Sequence, residues 1–391
     1  MTHCLTRAAA LRATLRRPRS SPYQLSSFTT TTTTPSQVVF DTAFKARQRD
    51  NLAARQSLLL KIPDLEEAER FNYLRDEIAD RLVDRLDDLD HARRFSKAAD
   101  IGCWSGHVVR AVERRPHLLS QNTLQDFALY DQSRNMLELT KQKQTTENGG
   151  TAENGEGQGD KAVLNLSYHY LAECAGGSED LGLEENSLDL ITSNMWLHWC
   201  NNLPSILTQL RKALKPDGLF LGSMLGGETL SQLRSSLVLG EQEILGGVSP
   251  RISPQVHVGD VGMLLQGAGF NIPTVDTDLV TVEYPSPMSL MKHLQGMGES
   301  NASVLRHQGP LRRDVIEVAE REYHARYGNV EDHSVPATYQ IIYMIGWSPS
   351  KDHEQPLSRG SGTVSLSDLK SELQKPKVIP SGTVDSSDVE R

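Results

Sequence analysis

AADIGCWSGH, residues 98–107, combines an apolar lead-in, a carboxylate and two glycines four residues apart. The pattern predicts a strand, a tight turn and a helix, the opening unit of a doubly wound α/β sheet in which ligands bind beyond the carboxyl ends of the strands. Gly102 and Gly106 can adopt positive φ and let the backbone approach a ligand closely. Asp100 can bind a ligand's ammonium or hydroxyl groups. By itself the turn fits a strand–helix connection without a ligand equally well.

The first forty residues differ in composition from the rest of the 391-residue chain. No acidic residue precedes Asp41, whereas apolar and hydroxyl residues are interspersed with five arginines: Arg7, Arg12, Arg16, Arg17 and Arg19. This composition is typical of a mitochondrial transit peptide, which we assign to residues 1–36; the alternative is a disordered tail. Without these arginines the net charge of −9 becomes more negative, which argues against nucleic acid as a partner and suits a basic protein partner.

The cysteines and the hydropathy of the sequence indicate in which cellular compartment the protein is expected. The four cysteines, Cys4, Cys103, Cys174 and Cys200, form no C-x-x-C pair, so neither a disulfide framework nor a zinc site is indicated, and a reduced compartment such as the mitochondrial matrix fits. No segment approaches the roughly 18 to 20 consecutive apolar residues that a membrane span requires. We therefore expect any contact with the inner membrane to be peripheral.

Hydrophobic periodicity predicts the remaining elements. We assign residues 37–95 to an N-terminal helical lead-in. Within it, residues 40–56 are dense in basic residues, which predicts a polar surface segment. An amphipathic helix is predicted after that segment. The apolar stripe of that helix is Leu74, Ile78, Leu82 and Leu86. Further strands are predicted at 127–131, 162–171, 186–194, 219–223, 276–284 and 338–347, and helices at 203–214, 228–243, 260–266, 289–295 and 312–327. Residues 142–160 are a low-complexity surface insertion, and 348–391 a mobile tail.

The second strand ends in Asp131, about 30 residues beyond the glycine turn, somewhat farther than the spacing of dinucleotide folds. A carboxylate at this position can accept hydrogen bonds from both hydroxyls of a ribose. The alternative is an aspartate that caps the helix predicted to begin at Ser133. With the glycine turn upstream, the nucleoside role is favoured.

Three features together resemble the class I S-adenosylmethionine-dependent methyltransferases: the turn at 100–106, the acidic strand end at Asp131, and LKPDG at 214–218 before a fifth strand. Further motifs are similar to a mitochondrial branch of that family whose members assemble respiratory complex I: GGETL at 226–230, SPRISP at 249–254, LQGMGESN at 294–301 and VPATYQ at 335–340. The resemblance covers residues 40–364. It implies a Rossmann-like, seven-stranded, mostly parallel sheet with helices on both faces, spanning residues 96–347 with a helical insertion at 285–330.

The resemblance also implies a cofactor, S-adenosyl-L-methionine, and residues that would hold it. Asp100, Gly102 and Gly106 would line its methionine and ribose side, and Asp131 would bind the ribose hydroxyls. Asn194 would lie beside it, and Glu173 would replace the usual adenine contact. The sequence departs from the family pattern at Trp104, which stands where the turn usually has its middle glycine.

For the reaction, the resemblance implies hydroxylation of an arginine on an iron–sulfur subunit of the peripheral arm of complex I. A non-haem iron enzyme would use two histidines and one carboxylate, but the sequence contains no His-x-Asp/Glu motif, so we predict no metal ligands and leave the catalytic residues unassigned. Candidate substrate contacts are His198, Trp199, Glu299 and Asn301, because a carboxylate such as Glu299 pairs strongly with a guanidinium. Packing of the aromatic pair and a helix cap at Glu299 are the alternatives.

Two other functions stay open at this stage. One is a true methyltransferase that acts on a small-molecule or acyl-carrier substrate. The other is a non-catalytic assembly chaperone that retains the fold, and Trp104 is the residue that best supports it.

Overall fold

A seven-stranded sheet organises the chain in the computed structural model, which describes residues 38–59, 71–87, 89, 94–119, 123–149, 164–171, 180–307 and 309–350. The strands are β1 (Phe95–Ile101), β2 (Leu124–Asp131), β3 (Asn165–Tyr170), β4 (Leu188–Asn194), β5 (Leu214–Leu225), β6 (Asn271–Tyr284) and β7 (Val335–Trp347). Their order across the sheet is β3-β2-β1-β4-β5-β7-β6. Strands β1 to β5 are parallel, and β7 lies antiparallel between β5 and β6. This confirms the predicted class I methyltransferase fold.

Helices cover both faces of the sheet. They are α1 (Thr42–Leu59), α2 (Tyr73–Asp87), α3 (His107–Glu113), α4 (Pro116–Leu119), α5 (Arg134–Gly149), α6 (Leu203–Ala213), α7 (Ser231–Leu245), α8 (Val258–Gly267), α9 (Pro287–Gly296) and α10 (Arg313–Tyr327). One core lies under α2, α3, α7, α9 and α10, and a second core lies under α6 and α8 on the other face. Helices α9 and α10 form the insertion between β6 and β7.

The amphipathic stripe predicted before the first strand is the buried face of α2. Leu74, Ile78, Leu82 and Leu86 all lie in the first core. Burial of each side chain stabilises the fold by about 1.5–3 kcal/mol, which explains why this charged helix packs stably against the sheet.

The strand order reverses between β1 and β4, because the chain runs outward from β1 to β2 and β3 and then returns to the other side of β1. At such a switch point the loops diverge and leave a crevice beyond the carboxyl ends of the two strands. The neighbouring strand ends carry Asp100, paired in register with Thr192, and Asn194. The topology therefore brings Asp100 and Asn194, two of the predicted cofactor residues, to one edge of the sheet.

Two predictions about local structure were wrong. Residues 40–56 are not a polar surface segment: α1 spans most of them, and Lys45 and Arg49 are fully buried against distant parts of the chain. The insertion predicted at 142–160 begins later than expected, because α5 continues to Gly149. Glutamine, lysine and glutamate are good helix formers, so the helix extends beyond its last apolar anchor.

Several predicted segments lie outside the described residues: the transit peptide at 1–36, residues 150–160 of the insertion, and most of the tail after 348. The domain boundaries proposed from the sequence stay predictions. Within the part of the chain that the structure describes, no helix is both long enough and apolar enough to cross a membrane.

Candidate functional site

The glycine turn after β1 has the backbone that its sequence predicts. Gly102 and Gly106 have φ values of 75° and 79°, in the left-handed region that glycine tolerates best. A Cβ on Gly102 would lie 2.1 Å from Cγ of Trp196. The close approach that requires glycine at 102 is therefore made by the chain's own Trp196.

Trp104 lies at the centre of the site, where we expected a departure from the family pattern. It is 2 % exposed, has a positive φ of 51°, and its backbone N–H donates to Oδ2 of Asp131 at 3.0 Å. A left-handed conformation costs a non-glycine residue roughly 1–2 kcal/mol. The indole Nε1 has no hydrogen-bond partner among the described residues.

Asp131, at the carboxyl end of β2, is fully buried and bound by the chain itself. Its Oδ1 accepts the backbone N–H of Ser133 at 2.8 Å, whereas the first turn of α5 is capped by Ser133, whose Oγ accepts the backbone N–H of Met136 at 3.1 Å. Both oxygens lie 3.3 Å from Nη1 of Arg49, and neither side chain is exposed. The carboxylate predicted to bind ribose hydroxyls thus pairs with a guanidinium from α1.

Asp100, at the end of β1, is also fully buried, and no cationic side chain of the described residues pairs with it. Thr192 donates to its Oδ1 at 2.9 Å, and its Oδ2 has no partner in the described part of the chain. Burial, with a smaller contribution from the charge of Asp131, raises the pKa of Asp100 to about 7. Near neutral pH this group can therefore exchange a proton.

Glu299 gathers three of the predicted substrate residues. Its carboxylate pairs with Arg75 of α2, and it accepts hydrogen bonds from Nε2 of His198 at 3.2 Å and Nε1 of Trp199 at 3.1 Å. Burial alone would raise the pKa of Glu299, but the positive charge of Arg75 and contacts with His198 and Lys45 lower it to about 2. Burial lowers the pKa of His198, so a neutral imidazole can donate to an ionised Glu299.

Lys45 closes this cluster from α1. Its Nζ donates to the backbone carbonyl of Gly298 at 2.6 Å and lies 3.1 Å from the centroid of the Trp199 ring. Burial lowers the pKa of Lys45 well below its usual value, while the charge of Glu299 opposes that shift. The contacts join the N-terminal helix to the GMGES loop after α9.

Two further predicted residues lie at the edges of the site, and one is outside the described residues. Asn194 donates to the backbone carbonyl of Arg75 at 3.0 Å and accepts from Ser223 at 2.8 Å. Asn301 bonds instead to Ser253 and to the carbonyl of Pro250, away from the Glu299 carboxylate. Glu173 is not described, so its proposed adenine contact stays a prediction.

A polar network supports the turn from behind. Nδ1 of His107 lies 2.7 Å from a carboxylate oxygen of Asp76, and its Nε2 lies 3.2 Å from Oγ of Ser105. Burial lowers the pKa of His107 to about 4, although Asp76 acts in the opposite direction. Ser105 and His107 are both buried, so these contacts attach α2 to the turn.

A cavity of about 170 Å³ opens beside Glu299 and Trp199. Its walls are mainly apolar and come from α7, α9, the sheet and the adjoining loops, with Leu233, Leu237, Met291, Leu294 and Tyr339 among the lining residues. An apolar cavity of about 150 Å³ holds a group the size of benzene. This cavity can therefore receive one large side chain or a ligand of that size.

Sequence reasoning missed the buried cations Lys45, Arg49 and Arg75. A signal existed for Arg75, because it lies three positions before Ile78 and so shares the apolar face of α2. For Lys45 and Arg49 the basic composition of the segment favoured solvent exposure instead. Among the described residues, no group of three or more histidine, cysteine or acidic side chains is placed to hold a metal ion.

The sequence of the chain is similar to those of known proteins. The family described as "Methyltransferase domain" matches residues 99–222. The protein named "Arginine-hydroxylase NDUFAF5, mitochondrial" from Danio rerio is 40% identical over 332 residues, which cover 85% of this chain and 89% of the relative. The protein of that name from Dictyostelium discoideum is 32% identical, with 85% and 70% covered. A malonyl-[acyl-carrier protein] O-methyltransferase from a Methylovorus strain is 30% identical over 71% of this chain and 82% of its own length.

Proposed function

This chain belongs to the family of the mitochondrial arginine-hydroxylase NDUFAF5, and we propose that it hydroxylates an arginine of a respiratory complex I subunit, with S-adenosylmethionine bound to its methyltransferase domain. The observation that carries the proposal is the extent of the match. The 332-residue alignment with the zebrafish relative is far longer than the methyltransferase domain at 99–222. The similarity therefore also includes sequence beyond the domain that gives the fold.

The chemical groups at the switch point fit an adenosyl cofactor. Asp100 and Asp131 supply buried carboxyl groups at adjacent strand ends, and Asp100 Oδ2 and Trp104 Nε1 are buried without partners in the described part of the chain. Asp131 would bind the ribose hydroxyls, with Gly102, Gly106 and Asn194 around the methionine side and Glu173 toward the adenine. When bound, S-adenosylmethionine supplies an activated methyl group; hydroxylation further requires an oxygen source and a reductant.

The substrate arginine is assigned to the cavity beside Glu299. A carboxylate and an indole form a suitable environment for a guanidinium, and the chain's own Arg75 already pairs with Glu299 there. The low pKa of Glu299 keeps this carboxylate ionised at physiological pH. The apolar walls of the cavity would contact the methylene stem of the substrate, while His198 and Trp199 hold the Glu299 carboxylate in position.

Mass spectrometry of complex I tests the proposal. In mitochondria that lack the protein, wild-type chain should restore one added oxygen on an arginine of an iron–sulfur subunit. Asp131→Asn should fail to restore it, whereas the matched control Asp278→Asn, at an aspartate that pairs with Arg81 on the surface, should succeed. An unmodified arginine in the wild-type cells would refute hydroxylation by this chain.

The same experiment separates the two alternatives. The relative named as a malonyl-[acyl-carrier protein] O-methyltransferase supports methylation as the reaction. In that case the mass of another substrate would increase by one CH2 unit, and the arginine of complex I would stay unmodified. Trp104 and Arg49 fill the centre of the site, which supports a non-catalytic chaperone. In that case complex I would assemble with wild-type and Asp131→Asn chains alike, and its arginine would stay unmodified.

Partner and location follow from the same proposal. We infer a matrix protein that touches the inner membrane only peripherally, acts on a peripheral-arm subunit and binds no nucleic acid. Residues 1–36 would direct import. Deletion of that segment should leave the chain outside isolated mitochondria in an import assay, and protection of the truncated chain from external protease would contradict the assignment.

A further inference from the structure

A second charged residue, Arg251, lines the cavity beside Glu299. It lies in the loop between α7 and α8, within the SPRISP motif at 249–254. The two charges do not pair with each other, because Glu299 pairs with Arg75 and Arg251 pairs with Glu241. The other described residues that line the cavity are uncharged. The cavity wall therefore carries one carboxylate and one guanidinium, with mainly apolar side chains around them.

Glu241, on α7, holds the Arg251 guanidinium by one edge. Its Oε1 accepts the Nε–H of Arg251 at 2.6 Å, and its two oxygens accept the hydroxyl and the backbone N–H of Ser249, both also at 2.6 Å. The Glu241 side chain is 1 % exposed, whereas that of Arg251 is 15 % exposed. A buried carboxylate with several fixed partners thus sets the orientation of a guanidinium that still reaches solvent.

The terminal Nη1 and Nη2 groups of Arg251 are available to a ligand. Nε makes the hydrogen bond that this guanidinium forms with the described residues, and neither Nη group donates to another of them. Arg75 differs, because its Nη1 donates to the carbonyl of Met297 at 2.6 Å and its Nη2 pairs with Glu299. Of the two guanidinium groups near the cavity, only that of Arg251 has its terminal edge open. This edge carries parallel N–H groups that match the two oxygens of a carboxylate.

Under the proposed function, on which this inference rests, the ligand is a segment of a protein whose arginine reaches Glu299. The anionic side chains that such a segment offers at neutral pH are aspartate and glutamate. We propose that Arg251 binds one of these carboxylates, so that the site selects an arginine that has an acidic residue close to it in the substrate. The cavity of about 170 Å³ holds one large side chain, and the acidic side chain approaches Arg251 from its exposed side.

Binding of matched peptides tests the proposal without requiring the reaction. The full-length chain is titrated with blocked peptides that have a central arginine, a glutamate at one flanking position and alanine elsewhere. Each is compared with the peptide that has glutamine at the same position. A hydrogen-bonded pair of charges corresponds to about a tenfold gain in affinity, which we expect at one or more positions. Equal affinities within every pair, or no binding of any peptide at millimolar concentration, would overturn the proposal.

Variants then assign the preference to Arg251. In Arg251→Gln the ratio of the glutamate-peptide to the glutamine-peptide affinity should fall to about one, and in Arg251→Lys, which lacks the planar fork, it should fall in part. Arg321→Gln is the matched control, because it removes the same charge from a surface pair with the exposed Glu243 of α7, and its ratio should equal that of the wild type. Circular dichroism checks that each variant is folded. A wild-type ratio in either folded variant of Arg251 would contradict the assignment.

Free L-arginine distinguishes the two sources of a carboxylate, because its own α-carboxylate accompanies its guanidinium. If free arginine binds in a manner that Arg251→Gln abolishes, while every peptide pair shows equal affinities, the carboxylate belongs to a free amino acid and the proposal fails.

The result is separable from the test of the proposed function. If no peptide pair shows a preference while the arginine of complex I is modified, this inference fails and the proposed function stands. If the preference depends on Arg251 while the arginine of complex I stays unmodified, the proposed function fails and the carboxylate site stands.

Discussion

Gly102→Ala tests whether the turn at the switch point is built for Trp196. The added Cβ would lie 2.1 Å from Cγ of Trp196 and 2.4 Å from its Cβ, and the residue would keep a φ of 75°. The backbone conformation costs a non-glycine residue roughly 1–2 kcal/mol, and overpacking of a filled core typically costs a further 1–3 kcal/mol. We therefore expect the variant to lose about 2–5 kcal/mol of unfolding free energy.

Gly182→Ala is the matched control. Gly182 has a φ of 62°, but a Cβ there would meet no atom of the described residues within 4 Å, so this variant should lose only the backbone contribution of roughly 1–2 kcal/mol. Urea unfolding followed by tryptophan fluorescence measures both losses, and their difference isolates the contact with Trp196. Equal destabilisation of the two variants would refute the reasoning, because it would mean that Trp196 can move away from the added Cβ without any loss of unfolding free energy.

Three further predictions address the buried charges and the helical insertion. Glu299→Gln should destabilise the chain by about 3–5 kcal/mol, since it leaves the buried Arg75 without its carboxylate; urea unfolding measures the loss, and one below 1 kcal/mol would contradict it. Burial raises the pKa of Asp100 to about 7 from its ordinary value of 3.8, so the folded state binds more protons between those values and this group's contribution to stability should fall as pH rises from about 4 to 7; Asp100→Asn should flatten that part of the pH profile of the unfolding free energy, and an unchanged slope would contradict the shift. Gly240→Ala should weaken the contact of α7 with α10, because its Cβ would lie 2.7 Å from a backbone carbonyl of α10; thermal unfolding should show a lower Tm than for Gly259→Ala, where a Cβ meets no described residue within 4 Å, and equal Tm values would contradict the close packing.

Local patterns were enough to predict the sheet and the strand ends of the site. The alternation and periodicity of apolar residues depend on neighbours a few positions apart, so the strands that end at Asp100, Asp131 and Asn194 could be found from the sequence. Because parallel strands end at one edge, the same reasoning also brought those side chains together.

The buried cations could not be predicted in the same way. Arg49 is buried because it meets Asp131, 82 positions later, and Arg75 because it meets Glu299, 224 positions later. A charged side chain enters the interior only where a distant partner compensates for the loss of water, and a local window of sequence does not contain that partner. The composition of 40–56 therefore pointed to a surface.

For the residues around Glu299, the sequence predicted a shared role in binding an arginine but not their contacts with one another. The sequence suggested that Glu299, His198 and Trp199 could each face an arginine, and the structure joins them around Arg75. Asn301, only two residues after Glu299, bonds to another loop. The hydrogen-bond partners of the two residues come from distant parts of the chain, which a local window of sequence does not contain.

Calorimetric titration of the full-length chain with S-adenosylmethionine tests the central claim most directly, since every role assigned to the switch point depends on a bound cofactor. We predict micromolar binding to the wild type and at least tenfold weaker binding to Asp131→Asn, with the folded state of the variant checked by circular dichroism. Absence of binding to the wild type at millimolar cofactor would contradict the claim, as would equal affinity of the wild type and the folded variant.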